Sequence, residues 1–130
     1  MILSLAILTT ALLFGGMTLF AFAFAAFLFT ALPIDVARSV IRKAFPWFYL
    51  FVIAVAGAGA LLWWPHDPTS SVLMAAIGLT TVPTRQVLMP AINRATDAQA
   101  RGRFKTLHGL SVLVTLAHIA AAGWVLARLA

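Results

Sequence analysis

The chain has 130 residues, 63% hydrophobic and only 9% charged, whereas soluble domains carry roughly 25% charged residues. That excludes a soluble protein, and at about 20 apolar residues per crossing the length fits four spans with no separate extramembrane domain. The absence of cysteine excludes disulfides, thiolate metal sites and thiol redox chemistry, and the formal charge of +6 has to be read from where its residues fall.

No charge occurs from Ile2 to Leu32. At 1.5 Å per residue this stretch exceeds a hydrocarbon core of roughly 30 Å, so residues 2–32 form the first predicted span. It is not expected to be a cleavable signal peptide, because it lacks a basic start and its apolar stretch is about twice the usual length. Pro33 ends it. From Ile34 to Phe45, residues Ile34, Ala37, Val40, Ile41, Ala44 and Phe45 share one side at 100° per residue, with Asp35, Arg38, Ser39, Arg42 and Lys43 opposite. This predicts a short amphipathic helix lying in the interface.

Pro46 fits the first position of a second span over residues 47–64, with Trp47, Tyr49, Trp63 and Trp64 near its ends as aromatic belt anchors. Pro65 to Thr69 forms a polar turn, and His66 with Asp67 reads as part of that turn rather than as a site. The third span, residues 71–92, is the least regular and contains Thr80, Thr81, Pro83, Thr84, Arg85, Gln86 and Pro90. The polar stretch Asn93 to Lys105 is expected to continue it, with Asp97 and Arg101 at i,i+4 spacing, before the chain turns near Gly102. The fourth span covers residues 106–126. The predicted fold is thus all-α: an integral membrane four-helix bundle, one domain over residues 1–130, with an interfacial amphipathic helix after the first span.

Every positive residue except Arg128 falls in or near the first and third loops: Arg38, Arg42, Lys43, Arg85, Arg94, Arg101, Arg103 and Lys105. The positive-inside rule places those loops in the cytoplasm and both termini outside, in what is expected to be a bacterial inner membrane. The same distribution assigns the basicity to topology and to anionic lipids at the cytoplasmic face, not to nucleic acid. Gly15, Gly16, Gly57 and Gly59 are expected to allow close helix approach.

Polar groups inside a span are costly, so each asks for a reason. His108, Ser111, Thr115 and His118 recur at i, i+3, i+7 and i+10 in an arc of about 80°, a stripe expected to face the bundle interior. His118 lies about 15 Å deeper than His108, so the two do not ligate one metal ion. His118 reads either as a neutral histidine bonded across a helix interface or as a haem or copper ligand or proton relay. Met17, Met74 and Met89 are preferred as packing, with copper ligation as the alternative. Pro83 and Pro90 are expected kink sites. Pro83 frees a carbonyl at about Leu79, which Thr80, Thr81 and Thr84 help to satisfy. Arg85 is expected to snorkel to the headgroups, the alternative being an anion or headgroup pocket with Gln86, His108 and Asn93. Asp35, Asp67 and Asp97 all lie in loops, which argues against a carboxylate-driven proton-coupled transporter. No phosphate loop, nucleophile elbow or zinc-protease helix occurs.

The run Gly15-Gly16-Met17, the Phe-rich stretch to Leu28-Phe29 and Leu32-Pro33, and Phe45-Pro46-Trp47-Phe48-Tyr49 resemble the transmembrane-protein-205-like family of small four-span proteins. So do Met89-Pro90-Ala91-Ile92-Asn93-Arg94 and Phe104 to Ser111, with Leu107-His108-Gly109. The resemblance covers most of the chain and implies a four-helix membrane domain without an established activity. It marks Gly15, Gly16, Pro46, Pro90, Asn93 and His108 as pattern residues, for which the family supplies no agreed catalytic role. A weaker likeness is to four-span copper-resistance and haem-associated proteins, but intramembrane histidine occurs here only in the fourth span, so a bis-histidine haem would need a homo-oligomer.

The expected function is non-enzymatic: an accessory or structural subunit, or part of a small-molecule or metal-tolerance system, without a cofactor, as a homo-oligomer or in a larger membrane complex. The alternatives are a haem- or copper-handling redox protein using His118, and a transporter or channel subunit acting as an oligomer.

Overall fold

The structure, a computed structural model, describes residues 1–130. Four helices account for nearly all of them: α1 (Ile2–Ala31), α2 (Ile34–Trp63), α3 (Pro68–Asp97) and α4 (Arg101–Ala127), each long and apolar enough to cross a membrane. There is no strand. Two helices are irregular, with a π-helical stretch at Leu19–Phe24 in α1 and another at Thr84–Leu88 in α3.

The chain breaks where local chemistry forces it to. Leu32 is extended (φ −120°, ψ 152°), as the residue before a proline prefers, and Pro33 then leads into α2. The predicted interfacial helix and second span are one helix, because α2 runs unbroken through Pro46. The proline deprives only the Arg42 carbonyl of its helical donor, and Arg42 lies exposed at the polar end. The two-sidedness of residues 34–45 survives, with Ala37 buried and Arg38, Ser39, Arg42 and Lys43 exposed. Of its apolar side, Ala37 is buried and Phe45 meets Phe20 of α1 with ring centres 5.3 Å apart, while Ile34 is exposed.

At the opposite end, Asp67 caps α3 by accepting the Thr69 N–H (3.1 Å) and the Ser70 hydroxyl, with Pro68 in the first turn. The α3–α4 turn falls at Ala98–Ala100, not at Gly102. There Gln99 takes a left-handed conformation (φ 53°). Its N–H donates to the Thr96 carbonyl (3.1 Å), and the Ala100 N–H donates to that of Ala95 (2.9 Å), the paired bonds of a Schellman motif. Gly102 is instead the second residue of α4. The predicted pairing of Asp97 with Arg101 is replaced: both carboxylate oxygens of Asp97 accept from Arg42, at 2.7 and 2.9 Å.

Each helix packs against its neighbours in the chain, α4 closes on α1, and the diagonal pairs are almost out of contact. Short turns make successive helices antiparallel, an up-down-up-down bundle. The core centres on Leu13, Met17, Val52, Trp63, Met74 and Ile77, while Leu8, Phe27, Leu61 and Leu79 point outward, the arrangement expected when lipid is the solvent. Trp47 (74% exposed) and Trp64 (69%) suit belt anchors. Trp63 (2%) and Tyr49 (4%) are core residues instead, a correction to their expected place.

Of the glycines expected to allow close packing, Gly16 lies against the Phe51 ring and Gly59 against Met74, where a Cβ would collide. Gly15 and Gly57 face open space, and Gly78 and Gly123 meet Ala56 and Phe14 across neighbouring helices instead. Glycines with no neighbour close by are indistinguishable in sequence from those under a partner helix.

Candidate functional site: polar side chains between the helices

Pro83 and Pro90 bracket the irregular part of α3. After Pro83 the Thr84 N–H turns back to the Thr81 carbonyl, and the Thr84 hydroxyl donates to the Thr80 carbonyl instead (2.8 Å). At the end of the π-helical stretch the Met89 N–H reaches Thr84. A hydroxyl thus replaces a backbone donor where proline disturbs the ladder, as expected inside a membrane. Thr80 and Thr81 donate to the Ala76 and Ile77 carbonyls, each at 2.6 Å, in the regular turn before Pro83, and none of the three hydroxyls reaches the Leu79 carbonyl that was expected to need them.

Thr80 also meets His118 of α4, with Oγ1 2.8 Å from Nε2. With the Thr80 hydroxyl also 2.6 Å from the Ala76 carbonyl, the arrangement suits a neutral imidazole that donates from Nε2 to Thr80. The same construction joins α1 and α2. Trp63 Nε1–H donates to Thr10 Oγ1 (2.9 Å) and Thr10 donates to the Ala6 carbonyl (2.8 Å), with both side chains enclosed. Two further bonds cross from α3 to α2: the Ser71 hydroxyl to the Ala60 carbonyl (2.7 Å), and Arg85 Nε–H to the Pro46 carbonyl (3.2 Å).

The expected stripe on α4 therefore divides. Ser111 is buried and Thr115 and His118 are half-buried, but His108 is exposed, its ring stacked on Phe104 at 5.2 Å. Arg85 bonds α2 and Gln86 Oε1 (3.3 Å), and no hydrogen bond joins it to His108 or to half-buried Asn93. The arc argument found the right face for three residues. His108 departs because it sits near the polar end of α4, where the helix no longer needs to hide it.

At the end of the bundle opposite the Arg42–Asp97 pair, Arg128 lies 3.1 Å from Asp67 and over the Trp124 ring at 4.5 Å. The Ser70 hydroxyl, then the Thr69 N–H and Arg128, hold the Asp67 carboxyl below its ordinary range. Nowhere do three histidine or acidic side chains converge as metal ligands would. Met17 and Met74 are fully buried in the core.

One feature had no sequence signal: an open apolar groove of about 500 Å3 between α1 and α2, formed chiefly by Gly16, Phe20 and Phe24 facing Ala44, Trp47 and Phe51. It lies beside the π-helical stretch of α1, where Phe20 stacks on Phe48 with ring centres 4.1 Å apart.

A protein-family model described as Domain of unknown function (DUF4149) matches residues 8–101, which is most of α1, all of α2 and α3, and the turn that follows up to the first residue of α4. The chain belongs to the DUF4149 family. That name comes with no transmembrane-protein-205-like assignment, and no curated protein and no solved structure matches the chain. The DUF4149 match contains the Thr10–Trp63 contact, Arg85 and both π-helical stretches, whereas His108 and His118 lie beyond it.

Proposed function

We propose that this DUF4149 protein is a non-enzymatic accessory or structural subunit of a bacterial inner membrane, with both termini outside the cytoplasm. What supports the reading is the use made of the polar side chains within the spans. Thr10, Ser71, Thr80 and Arg85 each tie one helix to its neighbour. Chemistry in such a site would call for a cluster of groups aimed at a common point, and these are distributed over three helix pairs. The orientation rests on Arg38, Arg42, Lys43, Arg94, Arg101, Arg103 and Lys105, which gather at the end bearing the α1–α2 and α3–α4 turns.

The test is purification in mild detergent, followed by visible spectroscopy, elemental metal content and thermal unfolding. We expect no Soret band and no stoichiometric copper, and we expect His118→Gln to remain folded, because an amide donates to Thr80 as the imidazole does. A Soret band or stoichiometric copper that vanishes in His118→Gln overturns the reading. A reporter fused after Ala130 is expected to behave as external, and a cytoplasmic signal there overturns the orientation.

A further inference from the structure

The groove between α1 and α2 lies directly beneath the basic end of the bundle. Its α2 wall starts at Ala44, the residue after Lys43, and Trp47 follows one helical turn below. Gly16 and the Phe51 ring that lies against it both line the groove, and Leu19 and Trp47, also lining it, are well exposed. The groove is open and almost wholly apolar in its lining, a surface that suits a flexible hydrocarbon chain. The charge above it is available. Arg42 is held by Asp97, whereas Lys43 is exposed and enters no ion pair.

From these relationships we infer that the groove binds one acyl chain of an anionic phospholipid, with the phosphate against the Lys43 ammonium. The apolar lining supplies the chain site, and Lys43, the residue before Ala44 and one helical turn from Trp47, supplies the headgroup preference. The inference goes beyond the subunit reading and does not depend on it.

The experiment is native mass spectrometry of the full chain released from detergent micelles containing equal amounts of phosphatidylglycerol and phosphatidylcholine with identical chains. Wild type is expected to retain one phosphatidylglycerol, favoured about fivefold over phosphatidylcholine, the effect of one lysine near a lipid surface. Lys43→Gln is expected to retain a lipid without that preference, and Lys43→Arg to keep it. Ala44→Phe fills the groove and is expected to lose both lipids while melting like wild type. Leu61→Phe, on an exposed face near the other end of α2, is expected to behave as wild type. No preference in wild type, an undiminished preference in Lys43→Gln, or full retention by folded Ala44→Phe overturns the inference. So does equal loss in Leu61→Phe, or a second copy of the chain held in place of lipid. Because Lys43 stands outside the groove, its variants decide the matter even if Ala44→Phe does not fold.

Discussion

The indole of Trp63 hands its hydrogen to the hydroxyl of Thr10, 2.9 Å away, where neither side chain reaches the surface. Thr10 thereby both accepts and donates, since its own hydrogen goes to the Ala6 carbonyl. Thr10→Val keeps the shape and orphans the indole N–H, so it is expected to destabilise by about 1 to 2 kcal/mol. A double-mutant cycle with Trp63→Phe should return a coupling of about 0.6 to 1.7 kcal/mol, the range of hydrogen bonds between membrane helices. Titration with sodium dodecyl sulfate in mixed micelles, followed by circular dichroism, measures both. Additive effects would show that the contact contributes nothing.

Gln99 occupies a left-handed position that glycine normally fills. Gln99→Gly is expected to stabilise the bundle by roughly 0.5 to 1 kcal/mol, the left-handed penalty of about 1 to 2 kcal/mol less the added chain entropy of glycine. Gln99→Val should move the same unfolding midpoint the other way. A glycine variant less stable than wild type would contradict the assignment of this turn.

Adjacent glycines in α1 are expected to respond oppositely. Gly16→Ala drives a methyl into the Phe51 ring and should cost about 1 to 3 kcal/mol. Gly15→Ala meets nothing within 4 Å and should gain about 0.5 to 1 kcal/mol from helix propensity. Thermal unfolding of the two variants in one detergent provides the comparison.

The lowered pKa of Asp67, set first by the Ser70 hydroxyl, fixes the sign of an acid effect. A carboxyl depressed in the folded state contributes stability that is complete above the ordinary carboxylate range and is lost as pH falls through the folded value. Unfolding midpoints should therefore decline on acidification below about pH 4, and the decline should be shallower in Asp67→Asn. Identical slopes would remove Asp67 from the account.

Helix number and approximate extent were legible in the sequence because apolar runs interrupted by charge and proline carry that information directly. Three features were not. Pro46 looked like a helix start, yet proline ends a helix only when the carbonyl it orphans has no other recourse, and that of Arg42 is at the exposed end. Gly102 looked like the turn, yet Gln99 took the left-handed position, and Asp97 went to Arg42 rather than to Arg101. The tryptophans were the third. Trp63 and Trp64 are neighbours in sequence, but one helical step of about 100° turns the first toward Thr10 and the second toward lipid. The stripe on α4 was correctly drawn for Ser111, Thr115 and His118, while the partner of His118, a threonine already occupied with its own backbone, could be identified only once α3 and α4 were side by side.

The two threonine contacts also bear on how the protein enters the bilayer. Thr10–Trp63 lies wholly within the hairpin of α1 and α2, and Thr80–His118 wholly within that of α3 and α4. Each hairpin thus brings its own answer to a nitrogen–hydrogen group that lipid cannot solvate, and can leave the translocation machinery as a sealed pair. Ser71 and Arg85 are the exceptions. Their bonds to the Ala60 and Pro46 carbonyls cross between the hairpins, so both must wait until the second hairpin docks on the first.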